Sequence, residues 1–127
     1  MVFAKRVFFW SGVYGLVVLT PLYFLESTLN EMAPPPIAHP EYFYGFVGLA
    51  LSWQVVFLII SRDPVRYRLL MIPSMLEKFS FGVGALVLFA AGRISVQTAL
   101  SGTMDLALGA LFVAAFLRTR RSDPQTP

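Results

Sequence analysis

Four apolar runs decide what this chain can fold into. They cover about residues 7–25, 42–60, 70–91 and 100–117, and each is 18–22 residues long. At about 1.5 Å of rise per residue, a helix of that length crosses a hydrocarbon core of about 30 Å. Backbone groups in lipid must be satisfied within the segment, so each run is expected as a helix. The alternating pattern of a membrane barrel strand is absent. Composition agrees with this. Of 127 residues, 57% are hydrophobic and 13% charged, against about 25% charged in soluble domains. A chain so short and apolar has too little polar surface to cover a core in water. The expected fold is all-α: a polytopic membrane protein with a four-transmembrane-helix bundle over residues 1–118 and a disordered polar tail over 119–127.

Placement of the basic residues sets an expected orientation. Lys5 and Arg6 precede the first run, Arg62, Arg66 and Arg68 separate the second and third, and Arg118, Arg120 and Arg121 follow the fourth. If the helices alternate, all of these lie on one side. The other side has Arg93 alone, with Glu26, Glu31 and Glu41 in a long, proline-rich first loop. Both termini are therefore expected in the cytoplasm, with a multi-pass location in a cell membrane, the bacterial inner membrane. A signal peptide competes for residues 1–25. Its apolar run exceeds the usual core of about 7–15 residues, and no small-x-small cleavage site follows. The net charge of +3 belongs to this asymmetry and does not point to nucleic acid.

Several chemistries lack their residues. With no cysteine and only His39 as histidine, disulfides, thiolate nucleophiles, iron–sulfur clusters and multi-histidine metal sites are not expected. Walker, Rossmann, HExxH and GxSxG patterns are absent. No catalytic residue, metal or cofactor is assigned.

Ionisable and polar residues inside the runs are the functional candidates, because burying them in lipid is costly. Glu77 and Lys78 are neighbours and point about 100° apart on a helix, so they need separate solutions. The third run leads from the cytoplasmic side outward, and helical side chains lean toward the N-terminus. Lys78 is thus expected to snorkel to the surface as a membrane anchor. Glu77 depends on Pro73. A helix starting at Asp63-Pro64 would meet Pro73 in its interior and kink. A span starting at Pro73 would leave Glu77 near the headgroups. An ion pair with Arg66 or Arg68 is a further outcome. Ser11, Gln54 and Glu77 lie at comparable depth and form a candidate ligand-binding layer. Asp105, about one turn into the fourth run, is expected to form a structural ion pair with Arg93, or to join Glu26, His39 and Glu41 in an acidic cluster. Ser11 and Gly15, Ser80 and Gly84, and Ala110 and Ala114 are small-xxx-small pairs suited to close helix approach. Phe8, Phe9 and Trp10 fit an aromatic belt at the inner boundary.

The segments "HPEYFYGFVGLALSWQ", "SRDPVRYRLLMIPSMLEKFSFG" and "DLALGALFVAAFLR" resemble small bacterial four-helix membrane proteins of the broad DoxX-like kind. In that group a glycine-containing second span, a basic inner turn and an acidic residue in the last span recur. The resemblance implies the four-helix layout, and some members are associated with respiratory or redox membrane complexes. Taken together, the residues favour a non-enzymatic accessory or interaction subunit, with the lipid bilayer and a homo-oligomer or larger membrane complex as partners. A binding or transport module for a lipophilic molecule, a quinone or lipid, is the alternative. A membrane enzyme using Glu77 or Asp105 as acid or base is the third.

Overall fold

The computed structural model describes residues 2–119. The chain forms α1 (Val2–Leu19, extended by a 3-10 turn over Thr20–Phe24), a short α2 (Glu26–Met32), α3 (Pro40–Arg62), α4 (Met71–Ala90) and α5 (Val96–Arg118). There is no strand among the described residues. Four segments are long and apolar enough to cross a membrane: Val2–Phe24, Pro40–Arg62, Arg68–Ala90 and Val96–Arg118, each of 23 residues. Such a length gives about 34 Å of α-helix, slightly more than a hydrocarbon core of about 30 Å. α3 and α5 run past both ends of their apolar runs and α1 begins before its run, because those terminal turns carry polar residues, whereas α4 stays within its run.

Local chemistry accounts for the boundaries. Pro21 has no N–H to continue the α1 ladder, and the chain tightens into the 3-10 turn there. The expected choice at Pro73 falls between its two alternatives. Asp63 caps a turn by accepting from the Arg66 N–H at 3.2 Å. A 3-10 turn over Arg68–Leu70 follows, and α4 begins at Met71. Pro73 is then the third residue of α4, where a missing donor costs nothing and no kink is required. At the far end of α4, Gly92 adopts φ +72°. The Arg93 N–H reaches back to Leu88 O at 2.9 Å, the six-to-one bond that closes a helix through a left-handed glycine. Ser95 then caps α5, accepting from the Thr98 N–H at 3.3 Å.

The helices pair as α1 with α3 and α4 with α5. The two pairs join mainly through α1 against α5, while α3 and α4 barely meet. Lipid tails are as apolar as leucine, so close packing, rather than transfer from water, drives this assembly. Small residues allow it. A Cβ added to Gly82 would lie 2.6 Å from Leu106 Cγ, and one added to Gly102 would lie 2.5 Å from Ala85 Cβ. The α4–α5 seam therefore has no room for larger side chains at these two positions.

At the end of the bundle that carries both termini, the interior is filled by Ala4, Phe8, Phe57, Ile60, Met71, Phe112 and Ala115. The rings of Phe8 and Phe112 stack at 4.3 Å, and Phe57 meets Phe112 edge-on at 4.9 Å. Phe8 is thus core and not part of an aromatic belt, whereas Phe9 and Trp10 do face outward. Arg68 closes this end. Its guanidinium donates to Phe116 O and Thr119 O and lies 3.7 Å over the Phe116 ring. It thereby satisfies carbonyls that α5 leaves open at its C-terminus. Arg118 lies 4.5 Å over Phe3, which places the start of α1 beside the end of α5. Thr119, expected in a disordered tail, is buried under this cap. The rest of that expected tail, with Arg120 and Arg121, lies outside the described residues.

The opposite end carries the long loop. Within it Glu26–Met32 forms the short helix α2. Tyr44 donates to Glu26 at 2.8 Å, and Asn30 Oδ1 accepts from the Ile37 N–H at 2.7 Å. His39 pairs with Glu41 at 3.0 Å in an exposed position. The expected cluster of Glu26, His39 and Glu41 with Asp105 does not form, because each has a local partner.

Candidate functional site

Lys78 is the centre of the site, and it is not a surface anchor. The buried face of α4 consists of Met71, Ser74, Lys78, Gly82 and Ala85. These residues recur at three- and four-residue spacing, so they share one stripe of the helix. The buried glycines of α5, Gly102 and Gly109, bracket Asp105 at the same spacing. When the small residues bring α4 and α5 together, Lys78 and Asp105 must face each other. Lys78 Nζ lies 3.6 Å from Asp105 Oδ1 and 3.6 Å from Glu77 Oε2, with the lysine side chain only 5% exposed. Its Nζ also sits 5.2 Å over the Phe57 ring. Snorkelling to the surface would abandon all three contacts.

This geometry also corrects the expected Arg93–Asp105 pair. The fourth span begins at Val96, not near residue 100, so Asp105 is the tenth residue of α5 and lies about 13 Å of helical rise from its start. Arg93 remains exposed in the turn before α5 and has no carboxylate partner among the described residues. Glu77 and Lys78 do point to different sides of α4, as neighbours must. The long lysine stem nonetheless bends far enough for its ammonium to reach the Glu77 carboxylate.

A cavity of about 230 Å³ opens beside these charges. Glu77, Lys78 and Asp105 share its wall with Gln54, and Tyr14, Phe46 and Phe81 supply aromatic surface. Gln54 is buried, and its Nε2 donates to Ala50 O one turn back on its own helix at 2.8 Å. Its Oε1 has no hydrogen-bond partner among the described residues. Gly15 on α1 makes room for this amide, since a Cβ there would collide with it. Of the expected layer of Ser11, Gln54 and Glu77, the last two line the cavity. Ser11 is buried in α1 but does not reach it. Lys78 and Asp105 complete the polar wall instead.

Glu77 also faces a second space. The cleft between α3 and α4 holds a hollow of about 320 Å³ lined by Phe46, Leu49, Ala50, Trp53, Glu77, Ser80 and Phe81. Phe46, Ala50, Glu77 and Phe81 are common to both spaces. Leu49 and Leu76 flank the cleft and are 65% and 66% exposed, so it opens sideways, toward the lipid in a membrane. The interior cavity and the bilayer are thus separated by only a few side chains, with a carboxylate among them.

Among the described residues no three His, Cys, Asp or Glu side chains group to hold a metal ion. No family model, curated protein or solved structure matches the chain.

Proposed function

We propose that this chain is a multi-pass membrane protein that binds a lipophilic small molecule, with the polar head of the ligand against Glu77, Lys78 and Asp105. One observation carries this: a lysine held between two carboxylates in the wall of an otherwise apolar cavity, near mid-span. Ionisable groups at that depth are costly, and a fold keeps them where they line a ligand or ion path. A cavity with mostly apolar walls and a few convergent polar groups is the usual form of a small-molecule site. Entry is from the bilayer, through the α3–α4 cleft past Trp53. The termini face the cytoplasm, since Lys5, Arg6, Arg62, Arg66, Arg68 and Arg118 gather at their end of the bundle. Quinones and lipids are among the molecules of suitable character. The DoxX-like layout is compatible with this role and is not needed for it.

The test uses tryptophan fluorescence. The chain has two tryptophans, so Trp10→Phe leaves Trp53 as the reporter in the cleft. Ligands with brominated alkyl chains should quench Trp53 saturably in nanodiscs. Saturable quenching should be lost when Ser101, which lines the cavity, is replaced by Leu. Quenching that only tracks the bulk concentration of bromine in the lipid would contradict a site.

An accessory or interaction subunit remains the second reading, on one specific observation. Gly84 has nothing within 4 Å of an added Cβ, and Ser80 and Ala110 face outward as well. A partner helix would meet these small residues. The glycines of the α1–α3 and α4–α5 seams are already used inside the bundle.

A further inference from the structure

Lys78 does not balance the charge around it. One ammonium stands between two carboxylates, so the fully ionised cluster carries a formal charge of −1. Both ion-pair distances, 3.6 Å, exceed hydrogen-bond reach. Glu77 Oε2 and Gln54 Oε1 are buried with no hydrogen-bond partner among the described residues. Gln54 is 1% exposed, and because its Nε2 is committed to Ala50 O, its free end is an acceptor. Glu77, Lys78, Asp105 and Gln54 all line the same cavity. Buried acceptors without donors and a net charge in a low-dielectric interior are both unfavourable. What the cavity lacks is a hydrogen-bond donor that brings one positive charge.

We propose that the cavity takes the ammonium head of a lipophilic amine, placed among Glu77, Asp105 and Gln54, with its apolar part against Tyr14, Phe46 and Phe81. The inference rests on the lipophile site proposed above and narrows its ligand. Two or three N–H donors would satisfy the free acceptors, and aromatic faces favour a nearby cation. A quinone head offers acceptors only and would leave Gln54 Oε1 and Glu77 Oε2 without a donor. A fatty-acid carboxylate would add charge of the wrong sign.

The experiment keeps Trp53 as reporter in the Trp10→Phe protein, in nanodiscs of neutral phosphatidylcholine. Four probes share one brominated alkyl chain and differ in head: primary amine, alcohol, carboxylate and benzoquinone. Membrane partition is subtracted with a variant carrying Glu77→Gln, Lys78→Met and Asp105→Asn. If that variant does not fold, Ser101→Leu takes its place. The amine should half-saturate at a concentration at least about tenfold below the alcohol, because a charge pair shielded from water is worth more than the difference of about 1.4 kcal/mol that tenfold represents. Asp105→Asn should remove most of that advantage. An alcohol or quinone that binds as tightly as the amine, or a carboxylate that binds most tightly, would overturn the amine assignment and leave the lipophile site standing. Failure of all four probes to quench saturably would remove the site itself.

Discussion

At the terminal end of the bundle, Phe8, Phe57 and Phe112 fill the space between helices with stacked and edge-on rings. Toward the loop end, the same four helices surround a cavity walled by Gln54, Glu77, Lys78 and Asp105. The spans are equal in length, 23 residues each, and similar in apolar character. They differ in what they place on the inward stripe. The packed end uses large rings on α1, α3 and α5 at one level, so the helices close on each other. At the hollow end the small residues Gly15, Ala50 and Ser101 line the cavity with Gln54, Glu77, Lys78 and Asp105, and α3 stands away from α4. In a membrane, where apolar burial drives little, filling is what holds helices together. The packed end therefore supplies stability, and the hollow end is free to hold a ligand.

Substitutions can separate these two roles, and the largest effect is expected in the packed end. Phe112→Ala removes a fully buried ring between Phe8 and Phe57. It should cost about 3–5 kcal/mol, read as a lower midpoint of thermal unfolding in detergent. Lys78→Met comes next. It leaves two neighbouring carboxylates without their cation and should cost about 3 kcal/mol, whereas adding Glu77→Gln and Asp105→Asn should restore most of the loss. If the triple variant were no more stable than Lys78→Met alone, the charges would not be a coupled unit. Gly102→Val probes the seam that brings Lys78 to Asp105. A Cβ there already meets Ala85, so overpacking should cost about 1–3 kcal/mol and also weaken ligand binding. Arg68→Ala frees the carbonyls of Phe116 and Thr119 and should cost about 1 kcal/mol. Ser101→Leu is the smallest in stability, within about 0.5 kcal/mol, yet it should abolish saturable binding. A Ser101→Leu protein that bound normally would blur the division between the two ends.

Hydropathy alone located the four spans, since apolar length is a one-dimensional property. The site was harder to see. A lysine stem can snorkel, which favours the surface for Lys78, although Ser74, Gly82 and Ala85 at three- and four-residue spacing mark its stripe as the close-packed one. An apolar run that starts at residue 100 puts Asp105 close to the outer boundary and to Arg93, which is the wrong partner. Gln97 and Thr98 depress the hydropathy there, yet Ser95 is an N-cap residue type that moves the boundary to Val96 and Asp105 toward mid-span. Gln54 and Glu77 were placed at one depth by counting residues, and they do line one cavity. Ser11 satisfied the same count but faces another way. Counting gives depth, and only the pairing of helices gives direction. The short turn over residues 91–95 marks α4 and α5 as antiparallel neighbours, but only the glycines, which are common in membrane helices, mark the faces that meet.

The central claim is that the charged cluster holds a lipophilic ligand in the hollow end. Native mass spectrometry of protein released from its own membrane tests it most directly. The comparison is with the variant carrying Glu77→Gln, Lys78→Met and Asp105→Asn, checked for equal helix content by circular dichroism. A retained small-molecule mass is expected on the original protein and is expected to be lost from the variant. Identical spectra from the two folded proteins, with or without bound mass, would contradict it.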